Sequence, residues 1–134
     1  MIKRLNPTMV APTASAYSHG VVIPAGSDVI LTSGTLGLQP DGSLSPDFET
    51  QCHLVWANTS KILNEGGMEL SDIVKVTTFL PNRDDAAAYR RIRDEYLSHE
   101  PASTVIITDL INPEWLIETE VVAAKQSGGR VIPA

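Results

Sequence analysis

Two carboxylates stand two residues apart in the β-branched run Leu116-Ile117-Glu118-Thr119-Glu120-Val121-Val122-Ala123-Ala124. Side chains along a strand alternate between faces, so Glu118, Glu120 and Val122 share one face, and Ile117, Thr119, Val121 and Ala123 share the other. Like charges on one face cost stability unless that face is wet, is paired with cations, or lines a site that uses acid or base. A carboxylate held in a cleft can act as a general acid or base. The bland alternatives are an edge strand open to water, or pairing with Lys75 from a neighbouring strand.

Other chemistries find little support. His19, His53 and His99 lack the spacing of metal ligands, so no metal site is expected. Thr32-Ser33-Gly34 lacks the glycine-flanked frame of a nucleophilic serine, and Gly34, Gly37 and Gly42 do not form a phosphate cradle ahead of a helix. No cofactor is implied. The lone cysteine, Cys52, excludes an internal disulfide and fits a reducing compartment. A formal net charge of -6 removes the electrostatic attraction behind most nucleic-acid binding, and Arg90, Arg91 and Arg93 form the one local basic cluster. The N-terminal residues carry no apolar run of the signal-peptide kind, and no stretch approaches the roughly 18 apolar residues of a membrane span. The expectation is a cytoplasmic protein with no nucleic-acid or membrane partner.

The elements that must position these groups are legible in the punctuation. A chain of 134 residues, 43% of them hydrophobic, suits one domain over residues 1–134 with one sizeable core. Val21-Val22-Ile23 and Val29-Ile30-Leu31 flank Pro24-Ala25-Gly26-Ser27-Asp28, which predicts a hairpin, and Leu38 to Ser43 is a second turn. From Phe48 the apolar residues recur at three and four through Cys52, Val55, Trp56, Thr59, Ile62 and Leu63, predicting a helix over roughly 47–65 that Gly66-Gly67 stops. This stripe makes Cys52 a buried hydrophobe rather than a nucleophile. A strand is expected over 73–80. A second helix opened by Asp84-Asp85 carries Tyr89, Ile92 and Tyr96, and strands follow over about 103–109 and 116–124. Two helices with five or six strands predict an α+β domain of two layers, both helices on one face of a mixed sheet. The other face then needs cover, which association of copies would supply.

Tyr17-Ser18, Leu31-Thr32-Ser33-Gly34 with Pro40-Asp41-Gly42, Asp47-Phe48 before a helix, Asp72 to Leu80, Pro101-Ala102, and Ile117-Glu118-Thr119-Glu120 resemble the RidA/YjgF reactive-intermediate deaminases in order and spacing. The match spans nearly the whole chain. The resemblance implies a chorismate-mutase-like fold, a homotrimer whose sheets form a central barrel, and three clefts between neighbours. It implies hydrolysis of small carboxylate-bearing enamines or imines to the keto acid and ammonia. It makes Glu118 the catalytic group, with Tyr17, Ser33 and Gly34 binding substrate.

One motif position departs from the pattern. The family's Arg after Pro-Ala, which grips the substrate carboxylate in two parallel bonds, is Ser103 here. Losing such a bond costs roughly 1.5–3 kcal/mol, so an altered substrate preference is expected. The position of a family Asn on the second helix is Arg90, which would return a cation to the cleft from the helix side. Its alternative is a solvated helix face with i,i+3 and i,i+4 ion pairs. A non-catalytic binding trimer is the competing function. Endoribonuclease activity, sometimes attached to this family, sits badly with the acidic charge.

Overall fold

The computed structural model describes residues 2–127; Met1 and residues 128–134, the ends of the span expected to form one domain, lie outside the described residues. Its strands are β1 (Lys3–Leu5), β2 (Gly20–Val22), β3 (Ser27–Leu31), β4 (Thr35–Leu36), β5 (Ile73–Leu80), β6 (Ala102–Ile107) and β7 (Glu118–Gln126). Its helices are α1 (Phe48–Glu65) and α2 (Ala86–Tyr96). The main sheet runs β3-β7-β5-β6, with β4 also paired to β7. Among the described strands β5 and β6 are the parallel pair, and α2 makes the crossover between them. The result is the α+β, chorismate-mutase-like arrangement of a mixed sheet with two helices.

Local chemistry sets the helix ends. The Asp47 carboxylate accepts the Thr50 N–H at 2.9 Å and the Thr50 hydroxyl at 2.8 Å, capping α1. At the other end Gly67 takes φ +79°, the left-handed conformation that lets the chain leave the helix, while Met68 N–H returns to the Leu63 carbonyl. Phe48, Cys52, Val55, Trp56 and Leu63 are buried along one stripe, as the spacing predicts.

The period-two rule sorts the sheet. Val76, Thr78 and Leu80 on β5 and Thr119, Val121 and Ala123 on β7 are buried toward the helices, where Trp56, Tyr89, Ile92 and Leu97 complete the core. Phe79 lies opposite Glu118 and Thr77 opposite Glu120 on the reverse face. That face has no second layer among the described residues: Leu31 is 74% exposed, Val29 49% and Ile106 40%.

The predicted hairpin is not formed. Val21 pairs with Arg4 in a separate two-stranded sheet, whereas Val29 pairs with Ala124 of β7. Tertiary pairing overrides the local turn signal because β7, nine residues long, offers β3 a full ladder and carries Ile30 onto the core beside Ala123. Pro24 has no N–H to give a hairpin ladder. Gly26, at φ +80°, still makes the turn, closed by the Ser27 hydroxyl on the Pro24 carbonyl at 2.7 Å.

Candidate functional site

The chain leaves the sheet between β3 and β4, and the departure is fixed by a double bond to one residue. Thr32 donates its N–H to the Val121 carbonyl at 3.1 Å, and its hydroxyl accepts the Val121 N–H at 3.0 Å. Ser33 and Gly34 follow as exposed residues whose N–H groups find no acceptor among the described residues. β4 then rejoins the sheet with Leu36 opposite Glu118. The loop is held from the helix layer as well, since the Asn58 amide donates to the Leu36 and Leu38 carbonyls at 3.0 and 2.9 Å.

This loop closes on Glu118. A methyl group at Gly34 would overlap Glu118 Oε2 and sit 2.7 Å from its Cδ, so the carboxylate rests against the bare α-carbon. Glu118 is partly buried, accepts no hydrogen bond and pairs with no cation among the described residues. Of the residues that the resemblance groups, the fold of one chain brings Gly34, with Ser33 beside it, to Glu118. Glu120 is exposed beside Thr77. Lys75 pairs with neither acid: its ammonium donates to the Thr104 hydroxyl at 2.7 Å, and burial pulls its pKa below the usual lysine value.

Tyr17 and Ser103 belong to the opposite margin of the sheet. Ser18 lies alongside Ala102 and donates its N–H to the Pro101 carbonyl and its hydroxyl to the Glu100 carbonyl at 2.6 Å, which ties Tyr17 to the start of β6. Glu100 takes φ +56° just before Pro101, and its carboxylate pairs with Arg4 at 2.6 Å. Tyr17, edge-on to His19, lines a cavity of about 410 Å³ with Asn6, Thr13 and Glu100. Ser103 lies opposite Val76, so it points to the helix layer, where its hydroxyl is buried without a partner. Glu118 points to the other face. Two strand spacings, about 10 Å, separate β7 from β6, and one chain does not unite Ser103 with Glu118.

Arg90 is exposed on α2, next to the inward-facing Tyr89, Ile92 and Arg93, and has no ion-pair partner among the described residues. Its neighbours are not tied by i,i+4 pairs: Arg91 reaches Glu49 of α1 at 2.9 Å, and Arg93 pairs with the adjacent Asp94. The buried cation that sequence reasoning passed over is Arg93, with only 3% of its side chain exposed. Its Nη2 donates to the Ser15 hydroxyl at 3.4 Å and its guanidinium lies 5.8 Å over the Tyr89 ring. Tyr89, pushed up to about 12 by burial, shares a 2.6 Å hydrogen bond with Thr78. The signal was present: Arg93 is four residues from Tyr89, on the helical face that the apolar spacing defines. Lys61 was also missed. It borders the groove behind Ser33 and Gly34.

Comparison with known proteins agrees with the fold. A family model described as endoribonuclease L-PSP matches residues 8–125. A proposed regulator, AldR, of Lactococcus lactis is 31% identical over 90% of this chain and 96% of its own. A proposed reactive intermediate deaminase, TdcF, of Escherichia coli is 25% identical over 94% of this chain and 100% of its own. The crystal structure of YyfB, a Rid-family protein of Yersinia pestis, superposes with a TM-score of 0.80 at 26% identity, covering 92% of this chain and 98% of that one.

Proposed function

From the premise that the chain belongs to the RidA/YjgF family, the family of the endoribonuclease L-PSP model, we propose that it is a hydrolase deaminating small enamines or imines of 2-keto acids. The observation that carries this reading is the unpartnered carboxylate of Glu118, held against Gly34 beside two free backbone N–H groups. The enamine first becomes its imine tautomer. Glu118 then takes a proton from water as the oxygen bonds to the imine carbon, and delivers a proton to nitrogen. Glu118 then takes the hydroxyl proton of the resulting carbinolamine and passes it to nitrogen, and ammonia leaves as the C–N bond breaks and the C=O bond forms. The N–H groups of Ser33 and Gly34 steady negative charge beside the reacting carbon.

The cleft lies between protomers of a homotrimer in this reading, because Tyr17 and Ser103 stand at the β6 edge of the sheet whereas Glu118 lies on β7, next to the β4 edge. Tyr17 forms its wall. Ser103 in place of an arginine shifts the preference away from the smallest acids, and Arg90, exposed and unpaired, contributes a cation from a neighbouring helix. The reducing compartment that one free thiol suits makes the site of action cytoplasmic. The test is release of ammonia and keto acid from enzymatically generated 2-aminoacrylate and longer analogues. Turnover that Glu118→Gln abolishes supports the reading; no acceleration with any substrate rejects it.

Ser103 also favours a second reading, a trimer that binds small acids without turning them over, because the bidentate cation is gone. Ligand binding with no ammonia release would identify it. RNA cleavage is disfavoured by the net charge of -6.

A further inference from the structure

Behind the Ser33–Gly34 loop, on the side facing α1, lies a groove of about 590 Å³. That is far more room than a three-carbon acid fills, and it falls in the range typical of small-molecule sites. Its walls are Leu31, Leu36, Leu38 and Ile62, with Leu31 74% and Ile62 45% exposed. Lys61 is the one charged side chain on it, and it pairs with no carboxylate among the described residues. In an acidic protein an unpaired lysine over an apolar groove, next to two backbone N–H groups without acceptors, is complementary to an anion with an apolar body.

We infer that this groove is the specificity pocket for a 2-oxo or 2-imino monocarboxylate with an extended apolar side chain, and that Lys61 holds its carboxylate. The carboxylate meets the Lys61 ammonium and the Ser33 and Gly34 N–H groups. The carbon next to it then lies beside Gly34, against which the Glu118 carboxylate rests. The side chain runs over Leu36, Leu38 and Ile62. Leu31 stands where the groove meets the uncovered sheet face, so a neighbouring protomer would wall that side. Lys61 thereby takes over, from its own protomer, part of the grip that an arginine at position 103 would have given. The inference rests on the reading that Ser33 and Gly34 border the reacting centre.

Isothermal titration of the full chain with pyruvate, 2-oxobutanoate and 4-methyl-2-oxopentanoate tests it. Affinity is expected to rise about fourfold per added methylene. Lys61→Gln, at an exposed helix position, should weaken all three by about tenfold or more. Lys61→Arg should restore most of the loss, and the amide of the longest acid should bind wild type no better than the acid binds Lys61→Gln. Affinity flat across the series, no binding of any acid, or an unchanged Lys61→Gln would overturn the inference, even if Arg90→Ala weakens binding. A parallel deamination assay separates the two readings. Lysine-dependent binding without turnover sinks the deaminase and upholds the pocket. Turnover whose kcat/KM ignores Lys61→Gln sinks the pocket and leaves the deaminase standing.

Discussion

At the scale of single residues, the two glycines of the β4 region predict opposite phenotypes from the same substitution. An added methyl at Gly34 meets the end of a flexible side chain, the Glu118 carboxylate, which can swing aside. Gly34→Ala should therefore leave the unfolding free energy from urea titration within about 0.5 kcal/mol of wild type while cutting kcat/KM severalfold or more, since the displaced acid no longer meets water in place. Glu118→Gln, isosteric and partly buried, should lower kcat by about a hundredfold or more, the usual size of a general-base contribution, with an unchanged circular dichroism spectrum. Cys52 supplies a control on reactivity. Burial pushes its thiol up to about 12, so it stays protonated at pH 8 and iodoacetamide should label it only as fast as the protein unfolds. How much of this was legible follows a pattern. Strand alternation put Glu118 on a shared face with Glu120, whereas Ser33 and Gly34 were reached only through the motif resemblance, and the short loop before β4 brings Gly34 against Glu118. Ser103 pointing to the helix layer and Lys61 bordering the groove depend on how helix, loop and sheet stack, and no spacing within one segment encodes that.

At the scale of elements, α1 and the β4 loop are locked through a backbone contact that admits no extra atom. A methyl at Gly37 would lie 2.7 Å from the Gln51 α-carbon and 2.9 Å from its carbonyl carbon, atoms that move only if the helix moves. Gly37→Ala should cost about 1–3 kcal/mol or more, the range for overpacking, read as a lower urea midpoint at constant slope. Gln51 itself is buried, donating to the Ser45 and Glu114 carbonyls at 2.7 and 3.1 Å and accepting the Leu116 N–H at 2.9 Å. Gln51→Leu leaves three backbone groups unpaired and should destabilise by on the order of 3 kcal/mol, with the approach to β7 loosened. The elements with strong local patterns, α1 and β5, fall where the sequence places them: expected over 47–65 and 73–80, they occupy Phe48–Glu65 and Ile73–Leu80. The β2 and β3 runs were read as partners because both are short apolar, β-branched runs and a glycine-containing loop joins them. Their true partners, β1 and β7, are far away in sequence or carry, like Lys3–Leu5, no β-branched signal at all.

At the scale of the whole molecule, the uncovered face and the divided site make one demand. Val29, Leu31, Phe79 and Ile106 leave an apolar sheet surface without a second layer among the described residues. Tyr17 stands at the β6 margin, whereas Gly34 leads into β4 at the other edge and meets Glu118 on the adjoining β7. A two-fold dimer would bring like margins together, but a closed ring joins unlike margins at every interface and completes a site at each. Leu31→Glu should accordingly give a monomer by light scattering and abolish turnover while leaving the helix content intact. A sharper consequence needs no disruption. If Tyr17→Ala and Glu118→Gln each inactivate the protein, unfolding the two together at equal concentration and refolding them lets chains mix at random in each ring. About a quarter of the interfaces then combine an intact Tyr17 margin with an intact Glu118 margin, and activity should return to about a quarter of wild type. A site built within one chain would return none, because every chain in the mixture carries one defect.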